Sequence, residues 1–135
     1  MAACTCPLCA GGAGEVREEL LTQVAAMPRR PEHWHYLEGV LTARQLALPT
    51  RIRATAAWSL GMLADAGDAR RLTELMEQEP DPVVQEQLVW ALGRTRSRTA
   101  YQPLVRLLRD RLADNSARWA AVFALKTIGF DEAVE

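Results

Sequence analysis

The chain has 135 residues and a mass of 15.0 kDa, a length suited to one compact domain or a short repeat array that buries about 70% of its unfolded surface. An apolar fraction of 49% and a charged fraction of 24% exclude a disordered or fibrous protein, and no disulfide staple is required. Sixteen Lys and Arg against seventeen Asp and Glu leave a net charge of −1, which excludes the strongly basic balance of a general nucleic-acid binder, so that any anion site must be local.

Residues 1–13 are expected to form a tail ahead of a helical domain at 14–135. The tail carries Cys4-Thr5-Cys6-Pro7-Leu8-Cys9-Ala10-Gly11-Gly12, in which Cys-Pro-x-Cys resembles half of a zinc-ribbon or rubredoxin-type knuckle. Structural zinc takes four ligands, and a second Cys pair is missing. Cys6 and Cys9 with His33 and His35 would complete a set, as would Cys4, Cys6 and Cys9 with one histidine. Histidines at i and i+2 of a helix face different sides, so joint ligation needs irregular chain at 33–35. The competing readings are a reduced tail with exposed thiols beside a partly buried Trp34, and a redox or peptide-attachment role for the thiols.

Helices are expected near 14–27, 32–47, 50–65, 69–79, 83–96, 100–112 and 116–129. Ile52, Ala56, Leu60 and Leu63 fall at i, i+4, i+8 and i+11, as do Ala117, Ala121, Leu125 and Ile128, which is helical and not strand periodicity. Leu48-Pro49-Thr50, Pro80-Asp81-Pro82 and Asp114-Asn115-Ser116 supply helix-start residues, and Gly67-Asp68 and Ser97-Arg98-Thr99 do so for the intervening helices. The first helix, 14–27, is placed to cap the N-terminal end.

The helices repeat. Ile52–Gly61 aligns with Val84–Gly93 at an offset of 32, matching Trp58 with Trp90, Leu60 with Leu92 and Gly61 with Gly93; a third copy, Ala117–Lys126, lies 33 further on, with Phe123 at the Trp position and Lys126 in place of the glycine. Leu72, Leu75 and Met76 match Leu104, Leu107 and Leu108, again at 32. A helix pair recurring at this period signals a solenoid in which no unit buries its apolar face alone.

The pattern Leu-x-x-Leu, then Asp-x-x-Val, then Ala-Leu-Gly resembles the HEAT family, specifically its short phycobilisome-lyase-type HEAT-like repeat, over about residues 32–129. Asp81-Pro82-Val83-Val84 sits where the family has its Asp-Pro-x-Val turn; Arg53 and Arg118 stand at the arginine that commonly follows that valine, and Gln85 departs from it. The resemblance implies an all-α superhelix of about three hairpins.

Such stacks present broad faces, and the second helices, 50–65, 83–96 and 116–129, are the expected recognition face of a non-catalytic protein-binding adaptor. By resemblance, its partner-facing residues are Arg53, Trp58, Gln85, Gln87, Trp90, Arg94 and Arg118. Trp58, Trp90 and Phe123 border the core stripe, and are either inter-repeat packing or a partly exposed aromatic ladder. An alternative is an accessory subunit of a lyase or other modifying enzyme that uses the N-terminal thiols or a metal. A minor one is anion or nucleic-acid binding through Arg94, Arg96 and Arg98. Charge is polarised along the chain, with a net −5 over residues 65–86 and +5 over 94–118.

Trp119, Val122, Phe123, Leu125 and Ile128 surround much of the last helix, which suggests a buried C-terminal end, in a homodimer or against a larger subunit. Ser59, Ser97 and Ser116 lack a base or a nucleophile elbow, and Glu74, Glu77, Glu79 and Asp81 are expected on a solvated helix face. No apolar run reaches membrane-spanning length and no signal core follows Met1, so a cytoplasmic location is expected.

Overall fold

A computed structural model describes residues 18–43 and 47–129. The described residues form seven α-helices: α1 (Glu18–Ala25), α2 (Pro31–Thr42), α3 (Thr50–Leu63), α4 (Ala69–Gln78), α5 (Pro82–Thr95), α6 (Tyr101–Arg109) and α7 (Asn115–Ile128). Short 3-10 turns at Ala66–Asp68 and Arg98–Ala100 lead into α4 and α6. Each helix falls where the sequence places one, and the chain is an all-α superhelix.

Local chemistry sets the boundaries. Asp81 caps α5 by accepting from the Val83 amide, with Pro82 in the first turn, and Asp114 caps α7 by accepting from the Ser116 amide. Asp65 and Asp68 form a capping box around the first 3-10 turn, and Ser97 caps the second. α6 ends three residues earlier than expected, because the Asp110 carboxylate accepts from the Leu112 amide in a side-chain turn that competes with the helix. Gly129, at φ 110°, closes α7 in the left-handed conformation that glycine tolerates.

The helices pack in two rows. α3, α5 and α7 stack side by side as an inner row, and α2, α4 and α6 each lie against the inner helix that follows them in the chain. α1 caps the N-terminal end by joining the inner row itself. It packs on α3, burying Leu21 and Val24, and the Ser59 hydroxyl donates to the Leu21 carbonyl at 2.9 Å. The core between the rows is leucine-rich on both sides, with Leu37, Leu60, Leu72, Leu88, Leu92 and Leu104 all fully buried. Each such side chain contributes about 1.5–3 kcal/mol of transfer free energy.

The repeated glycine has a steric cause. A Cβ on Gly61 would lie 2.9 Å from the Ala91 Cβ, and one on Gly93 would lie 2.9 Å from both the Cα and Cβ of Ala124. The inner helices touch backbone to backbone at these points, one unit apart. Only glycine admits the approach.

Arg29, between α1 and α2, ties the N-terminal end to the α3–α4 turn. Its guanidinium pairs with both carboxylate oxygens of Asp68, donates to the Leu63 carbonyl and lies 4.9 Å from the Trp34 ring centroid. The Arg29 side chain, and after it the Asp65 amide, hold the Asp68 carboxyl below its ordinary value against an opposing contribution from burial. A depressed folded-state pKa contributes stability that is fully present above the unfolded value of 3.8 and is lost as the pH falls from there through the lower folded value. Asp68→Asn is therefore expected to be less stable than wild type at neutral pH, by about 1 kcal/mol for a partly exposed pair. The gap should close on acidification below about pH 4. Urea midpoints of both proteins across pH 3–7 check this; a gap unchanged at pH 3 would contradict it.

Candidate functional site

The exposed faces of α3 and α5 carry the same four positions, at i, i+4, i+7 and i+11 of each helix. In α3 these are Arg51, Thr55, Trp58 and Met62, and in α5 they are Val83, Gln87, Trp90 and Arg94. In α7 the equivalents are Ser116, Ala120, Phe123 and Thr127, of which Ala120 is buried. The three aromatics are exposed to 38%, 39% and 48% in chain order. Trp90 and Phe123 stack across the α5–α7 seam with centroids 5.8 Å apart and planes at 21°. The ladder thus both packs between repeats and presents ring surface outward, combining the two readings that the sequence leaves open.

Neighbouring groups complete this surface. The Arg94 guanidinium lies against the Met62 sulfur one unit away and pairs with no carboxylate among the described residues. A depression of about 290 Å³ lined by Glu18, Thr22, Ala54, Thr55, Trp58 and Gln87 extends the row onto α1. Met62 and Val83 are exposed apolar members that the sequence reading does not single out. Their signal is simple: Met62 lies four residues after Trp58, and Val83 seven before Trp90, so both share the ladder's face.

The structure divides the seven expected partner-facing residues into two groups. Trp58, Gln87, Trp90 and Arg94 share the exposed row. Arg53, Gln85 and Arg118 occupy a different repeat position and turn back into their own hairpins, donating to the carbonyls of Leu41, Met76 and Leu108 at 2.8, 3.3 and 3.1 Å. Each latches the C-terminal end of the first helix of a pair to the start of the second. Gln85, which departs from the family arginine, makes the same link with a neutral amide.

Arg53 also reaches across to the next unit, where it pairs with Glu79. Both side chains are shielded, at 14% and 3% exposure. The second Glu79 oxygen accepts from the Asp81 amide, and Asp81 accepts from the Thr50 hydroxyl at 2.6 Å. That hydroxyl, with the Val83 and Val84 amides and the nearby Arg53 charge, holds the Asp81 carboxyl below its ordinary value, against partial burial. This corrects the expectation that Glu79 and Asp81 belong to a solvated face: Glu79 is buried and Asp81 half-buried, because the two turns meet there. Glu74 and Glu77 do lie outward, paired with Arg71 and Arg106.

The histidine half of the expected metal set does not converge. His33 and His35 both lie in α2, His33 buried and His35 exposed, so the irregular chain that joint ligation requires is not present. Cys4, Cys6 and Cys9 lie outside the described residues, as does any part of the tail they belong to. Among the described residues no group of three or more His, Cys, Asp and Glu is placed to hold a metal ion. Ser59 is buried in its bond to α1, and Ser97 caps a turn. Arg96 and Arg98 lie with Arg94 around the α5–α6 turn, where Arg96 adopts φ 53° as the C-cap of α5. At the C-terminal end, Trp119, Val122 and Phe123 are exposed, whereas Leu125 is buried in the core and Ile128 is half-buried, so that three of the five apolar residues around the last helix face outward.

Helical hairpins stacked into two rows of helices and related by sequence offsets of 32 and 33 define a short α-solenoid. Residues 69–135 match the model of the family described as HEAT repeats, and the chain belongs to the HEAT-like repeat family. No curated protein and no solved structure matches the chain. No described helix is long and apolar enough to cross a membrane.

Proposed function

We propose that the chain is a non-catalytic adaptor that holds a polypeptide partner on the exposed row of α3, α5 and α7. HEAT repeats are commonly protein-interaction modules, and the observation that carries the reading here is the recurrence of a half-exposed large aromatic at one position per unit. Rings held half out leave apolar area ready for a partner. Trp58, Trp90 and Phe123 supply that area, while Gln87 and Arg94 supply donors beside it. Aromatic and arginine side chains with this combination concentrate binding energy at protein interfaces.

The test compares retention of a polypeptide from a lysate of the source organism on immobilised full-length chain. One species is expected to bind the wild type and to be lost with Trp90→Ala, whose truncation should weaken binding by about 2 kcal/mol or about 30-fold. Arg70→Ala, on the exposed side of α4, should retain it. Equal loss with both variants, or none with Trp90→Ala, would contradict the reading.

A further inference from the structure

We propose that the C-terminal side of α7 is a second docking surface, and that its occupant is an acidic amphipathic helix of another protein. The argument begins with repeat equivalence. Ala57, Val89 and Val122 share one position, as do Gly61, Gly93 and Lys126. In α3 and α5 these residues are buried beneath the next inner helix, whereas Val122 and Lys126 are exposed. Trp119, at the position of Ala54 and Glu86, is 65% exposed. The surface that the fold uses for stacking is thus presented outward on α7, with a larger apolar side chain than either earlier copy carries.

A further hairpin in the same register does not fit it. At Gly61 and Gly93 even a single Cβ would meet the neighbouring helix at 2.9 Å, and Lys126 brings a four-carbon stem to that point. The occupant must sit further out and around Trp119. A groove of about 280 Å³ lined by Leu108, Asn115, Arg118, Trp119 and Val122 provides the apolar floor and wall. This is the form in which a groove takes the apolar face of a single helix.

Charge selects the partner. Over residues 109–126 this end carries Arg109, Arg111, Arg118 and Lys126 against Asp110 and Asp114, and none of these four cations makes an ion pair with a described residue. Leu112, between Arg111 and α7, is 97% exposed. Two copies of this chain meeting through α7 about a two-fold axis would each bring the same cations, and like charges would oppose across the interface. A partner with carboxylates flanking an apolar stripe meets both the floor and the rim. A nucleic acid would match the cations but leave Leu108, Trp119 and Val122 without apolar cover.

The test uses full-length protein and two synthetic helical peptides, each about 18 residues long with the same leucine face and with either glutamate or lysine on the polar face. Binding is followed by fluorescence anisotropy of the labelled peptides. The acidic peptide is expected to bind at least about tenfold tighter than the basic one, with the preference falling as salt is raised. Trp119→Ala and Lys126→Glu should each weaken it about tenfold while circular dichroism remains that of wild type. Trp58→Ala, on α3 and away from α7, should leave this binding unchanged, which separates the surface from the exposed row. Equal affinity for both peptides, or insensitivity to Trp119→Ala, overturns the proposal. So does a dimer in sedimentation, or an oligonucleotide complex, that Trp119→Ala abolishes.

Discussion

Gly93→Ala is expected to lower the unfolding free energy by about 1–3 kcal/mol, the usual effect of forcing a methyl group into a packed interior. Two effects compete. Alanine is better than glycine in a helix by about 1 kcal/mol, through the entropy of the unfolded chain and intrinsic propensity. Against this, the new Cβ would meet the Ala124 Cα and Cβ at 2.9 Å. One of those atoms is backbone, so relief requires α5 and α7 to separate along their length. The steric effect wins. Gly39 supplies the internal control, since it is an exposed helical glycine of α2 with nothing within 4 Å of its added Cβ. Gly39→Ala should stabilise by about 0.5–1 kcal/mol. Urea titrations of the three proteins test the pair, and a stabilised Gly93→Ala would contradict the close backbone approach.

Arg53→Met is expected to cost about 3–5 kcal/mol, because it strands Glu79 as an uncompensated buried charge. The Glu79 side chain is only 3% exposed, and beyond Arg53 it has the Asp81 amide as its partner. Lost with the guanidinium is the bond to the Leu41 carbonyl. The double variant Arg53→Met with Glu79→Leu should recover a large part of this loss, since removing both members of a buried pair is far less damaging than removing one. A double-mutant cycle read by denaturant unfolding measures the coupling. Simple additivity of the two single changes would show that the pair contributes nothing to the joint.

The fold was legible because its information is periodic. Offsets of 32 and 33 between Trp58, Trp90 and Phe123, together with helical spacing of Ile52, Ala56, Leu60 and Leu63, specify stacked hairpins without any coordinates. Helix starts were legible for a local reason: Asp81 and Asp114 bond to amides two residues away. The candidate site was readable only in part. That Trp58 and Trp90 border the core follows from the helical wheel, but whether a border ring points out or between repeats depends on the inter-helix angle. Arg53, Gln85 and Arg118 show the limit most plainly. Their spacing marks them as a repeated feature, yet it carries no sign of whether a long polar side chain reaches outward or folds back to a carbonyl of its own hairpin. Glu79 was obscured in the same way, because its partner lies 26 residues earlier and belongs to another unit. Nor does the sequence indicate that Gly61 and Gly93 are there for a neighbouring alanine.

The seams between units are not fastened alike. The first hairpin is bound to the second by the shielded Arg53–Glu79 pair and the Thr50–Asp81 bond, whereas the ion pair spanning α4 and α6, Arg106 with Glu77, has both side chains at least half exposed. A solvated pair adds little to apolar contact, and in a stack governed by nearest neighbours each seam opens according to its own strength. The last hairpin is therefore held by apolar contact, the Gly93–Ala124 approach and the Trp90–Phe123 stack, whereas the first adds a shielded charge pair to contact of the same kind.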